Sequence, residues 1–260
     1  MTLFFHELRR GRVSWAVWSI GISVILGICI LIYPEMSVQM NEVGNIFADM
    51  GSFSQAFGMD KLNFGEFKGY FGIECGNMLG IGGALFAALL GVAALSKEEK
   101  EQTAEFLLTH PISRMRVYTQ KLLAVAAQIL ALNLLTAATT VGTMLLIGES
   151  FPAAQLALLL SSFLLLQLEI AGITFGLSAF LRNGSLGIGL GLCLLFYFMN
   201  LISNLVDMTE FLKYLTPFSY TDSAYIYEHS ALNLSYLLPG LLLAVLSLTV
   251  GALHYRKKDI

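Results

Sequence analysis

Six separate stretches of this chain are apolar over about twenty residues or more: 13–33, 70–95, 119–147, 155–180, 186–206 and 235–254. At a rise of about 1.5 Å per residue, each is long enough to cross the roughly 30 Å hydrocarbon core of a bilayer as a helix. Composition points the same way. Charged side chains make up 13% of the 260 residues and apolar ones 56%, whereas a soluble domain carries about 25% charge to cover its surface. Together with a mean hydropathy of +0.72, this excludes a soluble enzyme, a disordered chain, a collagen and a disulfide scaffold. A net charge of −3 and a pI near 5.8 exclude a nucleic-acid binder. The expected fold is an all-α integral membrane protein of six transmembrane helices, forming a single domain over residues 1–260.

The first run follows Arg9, Arg10 and Arg12, as a signal peptide would. Its 21 residues exceed the usual apolar core of about 7–15, and no A-x-A-like site closes it, so it reads as a retained span. Six spans place both termini on one side of the membrane. Twelve of the fifteen Lys and Arg residues fall on that side: Arg9, Arg10, Arg12, Lys97, Lys100, Arg114, Arg116, Lys121, Arg182, Arg256, Lys257 and Lys258. Only Lys61, Lys68 and Lys213 fall on the other. Positive residues stay cytoplasmic, so both termini are expected inside the cell, in the plasma membrane.

The connections leave no room for a soluble domain. The longest, 34–69, is 36 residues rich in Gly, Asn, Phe and Met. The connection 207–234 has two short helix-like pieces interrupted by Pro217, and 148–154 and 181–185 are tight turns. No internal repeat is visible, which gives no support to an inverted-repeat transporter. Cys29, Cys75 and Cys193 sit in apolar stretches without metal spacing and read as small buried hydrophobes.

Two segments on the positive side carry amphipathic patterns. Residues 1–12 set Phe4, Phe5 and Leu8 against Arg9, Arg10 and Arg12. That is either a short amphipathic N-terminal helix in the membrane interface or a plain positive flank. After the second span, Ser96 and Glu99 have the S-x-x-E spacing of a capping box that opens a helix. This helix ends before Pro111, and Ser113 can cap the next one. Phe106, Leu107 and Leu108 then lie beside Glu98, Glu99, Glu101 and Glu105. A helix of this kind lies on the membrane or fits a groove on a partner protein, and four carboxylates oppose an anionic membrane surface.

Glu105-Phe-Leu-Leu-Thr-His-Pro-Ile-Ser-Arg114, followed by Lys121, resembles the E-x-L-L-x-x-P-[IV]-S-R…K signature of the membrane subunits of ABC exporters of the second type. Tyr255-Arg-Lys-Lys-Asp-Ile260 is similar to the basic-Asp tail of that family, and Leu215-Thr-Pro-Phe218 to its L-[ST]-P-F segment between spans five and six. The family usually has Gly before the Thr of the loop helix, where this chain has Gln102 before Thr103. The resemblance implies a permease domain with a cytoplasmic coupling helix between spans two and three, seated on an ATPase. The residues expected to carry ATPase coupling are Glu98, Glu101, Glu105, Phe106, Leu107, Leu108, Pro111 and Arg114, with Arg114 and Lys121 anchoring the loop at headgroup level. The chain has no G-x-x-x-x-G-K-[ST] loop to cradle phosphates. It is therefore expected to be no enzyme and to bind no cofactor, with ATP and Mg held by a partner subunit. The implied assembly has two copies of an ABC ATPase subunit and a second permease subunit, identical or related, in the lipid bilayer, with no nucleic acid.

Polar groups inside the membrane are expensive and therefore informative. Glu169 lies near the middle of the fourth span with no Lys or Arg at comparable depth, and is expected to be protonated, wet or holding a cation. It either lines a pathway or bonds between helices. Gln167 faces another direction on the same helix. Asn133, Thr136, Thr140 and Thr143 form one polar face of the third span, which either lines a substrate path or bonds to a neighbouring helix. Gly72, Gly76 and Gly80, continued by Ala84 and Ala88, form a small-residue packing seam, within the chain or at a dimer contact. Gly172 and Gly176 repeat the theme on the face of Glu169.

No His, Cys and carboxylate cluster has the spacing of a metal site or a catalytic triad. The resemblance, the small loops and the apolar bundle suggest export of amphipathic or hydrophobic cargo, such as a toxin or antimicrobial peptide or a drug. The alternatives are a sodium-like cation efflux permease of the same family, with Glu169 as its ion site, and a stand-alone secondary transporter.

Overall fold

The computed structural model describes residues 2–48, 51–57, 61–63, 65–100, 113–181 and 186–257. Among them the chain forms helices α1 (Thr2–Ala48), α2 (Ser52–Phe57) and α3 (Phe67–Cys75), and a π-helical turn at Gly76–Gly82 leads into α4 (Gly83–Lys100). Then come α5 (Arg114–Ile147), α6 (Ala153–Ser178) and α7 (Leu186–Leu205). Two 3-10 segments (Asp207–Tyr214 and Ser219–Thr221), α8 (Ser223–His229) and α9 (Leu234–Lys257) complete the order. Six helical stretches are long and apolar enough to span a membrane: Leu3–Ser37, Phe67–Lys97, Arg114–Ile147, Ala153–Ser178, Leu186–Leu205 and Leu234–Lys257. These are the six runs read from the sequence, with the first, second, third and sixth extended at one or both ends.

The extensions have local causes. Nothing between Thr2 and Val13 stops a helix, so residues 2–12 are the first turns of α1 and form no separate interfacial piece. Leu3 is buried with Ala87, Leu95, Val117 and Tyr255, and the Phe4 N–H donates to Gln120 Oε1 at 3.3 Å. The positive flank is therefore held against α5. At its other end α1 continues through Pro34 to Ala48, which turns much of the expected 34–69 loop into helix. Pro34 removes one N–H from the ladder without ending it, and Ser37 Oγ donates to its carbonyl at 3.0 Å.

Ser96 does not open a new helix. It lies inside α4, where its hydroxyl donates back to the Val92 carbonyl, the bond Ser makes when it sits within a helix. Ser113 is the N-cap residue of α5, as expected, although its side chain makes no capping bond. Gly148 ends α5 in the left-handed region at φ 74°, where only glycine is free of a Cβ penalty.

The first turn of α1 and the last turn of α9 lie at one end of the bundle, the termini end, where Leu3, Val117, Tyr118, Phe175 and Tyr255 share one core cluster. A second, larger cluster including Leu26, Phe71, Leu79, Phe86, Phe163, Leu166 and Tyr220 fills the middle and the far end. Helix α5 runs along α1, α4 packs on α6 and α7, and α9 lies along α6. Lipid tails are as apolar as Leu, so close packing and hydrogen bonds must join these helices. Glycines permit the closest approaches: Gly91 of α4 lies against the Ala171 carbonyl of α6, and Gly251 of α9 against the backbone of Gly176. The opposite faces carry Val13, Val17, Ile20, Leu195, Phe198, Leu242, Val245 and Leu246, all exposed, as lipid-facing positions require.

Candidate functional site

The connection between α7 and α9 does not stay at the end of the bundle. Thr216 Oγ1 donates to the Phe196 carbonyl at 2.8 Å, and Phe196 lies nine residues before the end of α7, about 14 Å along its axis. Ser219 Oγ donates to Asn200 Oδ1 at 3.1 Å, and Ser223 Oγ to the Gly72 carbonyl at 3.1 Å. Pro217 prevents a continuous helix, and the residues around it re-enter the bundle and turn back. Irregular backbone at such depth is tolerated where protein surrounds it.

Tyr220, at the deepest part of this segment, is 1% exposed and presents its phenol to the Glu169 carboxyl of α6. On the α9 side, Glu169 Oε2 fills the space a side chain at Gly240 would need. Glu169 itself is 1% exposed, and neither of its oxygens has a hydrogen-bond partner among the described residues. The acid expected in the middle of the fourth span thus faces α9 and the re-entrant segment. Gly172 and Gly176 share that face, against Ala244, Ser247 and Leu248.

Gln167 points the other way, as its helical position required. Asn133 Nδ2 donates to Gln167 Oε1 at 2.7 Å, and Gln167 Nε2 donates to the Leu79 carbonyl at 3.1 Å. Leu79 belongs to the π turn, so this chain of bonds ties α5 and α6 to the irregular part of span two. Gly83 makes room for it, since a Cβ there would overlap Gln167. The rest of the α5 polar face lies against α1. Thr136 Oγ1 donates to the Leu132 carbonyl at 3.0 Å and sits 3.2 Å from Ser23 Oγ. Thr143 Oγ1 donates to the Thr139 carbonyl at 2.9 Å, and Thr140 is fully buried. The structure places all four residues between helices.

Gly72, Gly76 and Gly80 do not form one straight stripe, because a π turn adds a residue per bond ring and rotates the helix beyond it. A Cβ on Gly72 would lie 2.9 Å from Ser223 Cβ, and one on Gly80 would lie 3.1 Å from the Phe163 ring. A Cβ on Gly76 would meet nothing within 4 Å. It borders a cavity of about 340 Å³ at the far end, lined by the π turn, α7 and the re-entrant segment.

At the termini end, Lys121 corrects the expectation of a headgroup anchor. It is 3% exposed, and its Nζ donates to Glu7 Oε1 at 3.0 Å and to the Ala94 carbonyl at 2.8 Å. The ammonium is turned into the bundle, where it joins α1 and α4. Arg114 begins α5 half-buried, and Glu98 lies on the last turns of α4. The other expected coupling residues, Glu101, Glu105, Phe106, Leu107, Leu108 and Pro111, lie outside the described residues. Among the described residues no three His, Cys, Asp or Glu side chains converge on a metal position. The sequence reading missed Tyr220, Asn77 and the Glu7–Lys121 pair. Pro217, which marked a break in an apolar connection, was the one available signal for the first.

Six apolar spans, a re-entrant connection and a cavity at the far end make this an all-α protein of the membrane-spanning class. The chain belongs to the ABC-2 transporter family, since the family model described as ABC-2 family transporter protein matches residues 1–260. It is the permease subunit of an ABC transporter, a non-catalytic membrane component whose family implies an ABC ATPase partner. That match sets aside the stand-alone secondary transporter. Among curated proteins no match is found.

Proposed function

We propose that this permease belongs to an ATP-driven exporter that moves amphipathic or hydrophobic cargo out of the cell, a toxin or antimicrobial peptide or a drug. Two ATPase subunits bind ATP and Mg, and a second permease subunit, identical or related, completes the membrane part. The termini end faces the cytoplasm of a cell whose plasma membrane the bundle spans, in keeping with the bias of Lys and Arg to that side. Closure of the ATPase pair pushes on the 96–114 loop, and spans two and three, which flank it, tilt to open a path. The whole-chain family match supports the permease and the ATPase partner in this reading. The burial of Lys121 between α1, α4 and α5 supports it, because a push on the loop is then passed to three helices at once.

Co-expression with the ABC ATPase expected from a neighbouring gene tests the assignment. The two proteins should co-purify, and transport in vesicles should be blocked by vanadate. Glu105→Lys with Leu107→Asp should abolish ATP-driven transport while the bundle stays folded. Export at the normal rate by that double variant refutes the coupling assignment.

A cation-efflux reading draws on one observation, the buried Glu169 carboxyl whose oxygens lack hydrogen-bond partners among the described residues. Vesicle uptake of sodium by the Glu169→Gln protein decides it: uptake that persists excludes Glu169 as an ion site.

A further inference from the structure

The cavity at the far end is not explained by packing. Its volume of about 340 Å³ is at the lower end of the roughly 300–1,000 Å³ typical of small-molecule sites. One wall is the π turn of span two, with Gly76, Asn77 and Gly80, and the facing wall is α7 with Tyr197, Asn200 and Asn204. π turns inside α-helices occur frequently at functional sites. This one turns an asparagine of a membrane span toward an open space.

Among the described residues four asparagines line the cavity, and three are engaged. Asn200 Oδ1 accepts from Ser219, Asn204 Nδ2 donates to the Ala56 carbonyl at 3.3 Å, and Asn233 Oδ1 accepts from the Ser235 N–H. The Asn77 amide has no hydrogen-bond partner among the described residues. A carboxamide offers a donor and an acceptor side by side, and another amide satisfies both. Deeper in, Phe163 and Phe218 supply apolar wall.

Charge at the cavity runs against its surroundings. The connections on this side of the bundle hold three lysines among many more carboxylates. Yet two of those lysines, Lys61 and Lys213, line the cavity, where Asp222 is the one carboxylate among the described residues. Lys61 lies 3.5 Å from Asp222 and Lys213 3.2 Å from Glu210, and three of these four side chains are more than a third exposed. Exposed pairs of this kind are weak, so an incoming anion can replace them.

We propose that this cavity binds an amphiphile whose polar head pairs an amide with a carboxylate, with Asn77 gripping the amide and Lys61 and Lys213 receiving the anion. An acylated amino acid and the free C-terminus of an apolar peptide share this chemistry. That the occupant is cargo rests on the exporter reading above. The binding itself does not.

The test uses the purified full-length permease in nanodiscs, without its ATPase, and measures binding by calorimetry. The probes are N-dodecanoylglycine, N-dodecanoylglycinamide, and an apolar hexapeptide with a free or an amidated C-terminus. Saturable binding is expected for the two carboxylate probes, and the stronger of them identifies the source. Asn77→Leu should weaken it roughly tenfold, the effect of losing one or two hydrogen bonds. Lys61→Gln with Lys213→Gln should reduce each carboxylate probe to the level of its amidated counterpart. Should Asn77→Leu perturb the fold, Gly76→Leu serves in its place, because its Cβ enters open space and leucine favours the helix. It should abolish binding with the thermal unfolding unchanged. Absence of saturable binding, or equal binding by the Asn77 and Gly76 variants, overturns the site. Failure of vanadate-sensitive transport with binding intact overturns the exporter reading and leaves the site standing.

Discussion

Lys121 Nζ lies 3.0 Å from Glu7 Oε1, and this pair fastens the beginning of the first span to the beginning of the third. With a second bond to the Ala94 carbonyl, the ammonium brackets the loop between spans two and three. Glu7 keeps only 20% of its side chain exposed and Lys121 3%, so the pair is largely removed from water.

Breaking that pair should be costly for stability. Removing one member of a buried pair typically costs about 3–5 kcal/mol, and partial exposure of Glu7 reduces this to about 2 kcal/mol for Lys121→Met. A double-mutant cycle with Glu7→Gln, followed by unfolding in mixed micelles, should give a coupling of about 1 kcal/mol or more. Additive effects would show that the two side chains act separately.

Gly172 and Gly176 look alike on the fourth span and should behave differently. A Cβ on Gly172 meets Ala244 and Leu248 side-chain atoms at 3.4 Å, an ordinary contact, whereas one on Gly176 overlaps the Ser247 carbonyl and hydroxyl. Backbone cannot give way as a side chain can. Gly172→Ala should leave stability within about 0.5 kcal/mol, and Gly176→Ala should lower it by about 2 kcal/mol or more. Parallel thermal unfolding of the two purified variants checks the contrast, which equal losses would contradict.

How much of this was legible in the sequence depended on range. The six spans were, because an apolar run of twenty residues and the need to satisfy backbone in lipid are both local. The opposed directions of Gln167 and Glu169 were also readable, since helical period alone sets them. The π turn was not: Gly72, Gly76 and Gly80 have α-helical spacing, and only the packed structure shows the register change. Tyr220 lies 51 residues from Glu169, in a connection whose re-entry depends on bonds from Thr216 and Ser219 back onto α7 and from Ser223 to Gly72, 151 residues away. Lys121 was placed at the membrane surface because charge bias counts residues without showing which of them turn inward.

The two polar seams of α5 should differ in weight. Gln167 bridges Asn133 and the Leu79 carbonyl, so Gln167→Leu removes two bonds at once; Asn133 keeps the Ile129 carbonyl and Leu79 the Gly83 N–H, and the loss should be about 1–2 kcal/mol. Ser23 and Thr136 share one bond across α1 and α5, and Thr136 also has the Leu132 carbonyl. Ser23→Ala should therefore cost only about 0.6 kcal/mol, the usual worth of such bonds in membranes. Unfolding titrations of the two variants in bicelles will order them, and a larger loss for Ser23→Ala would reverse the assignment of weight.

Tyr220 separates ring from hydroxyl in the re-entrant segment. Its ring is fully enclosed, while its hydroxyl makes no hydrogen bond among the described residues. Tyr220→Phe keeps the ring and gives up a polar atom without a bonded partner, so stability should change by less than about 1 kcal/mol. Tyr220→Ala opens a void where α6, α9 and the re-entrant segment meet, and loss of a buried aromatic typically costs about 3–5 kcal/mol. That loss is large enough to free the segment locally before the bundle unfolds. A cysteine at Thr221, labelled by a water-soluble maleimide in intact vesicles, should react slowly in the parent and in Tyr220→Phe and many times faster in Tyr220→Ala. Equal labelling in all three would mean that the bonds of Thr216, Ser219 and Ser223 hold the segment without the ring.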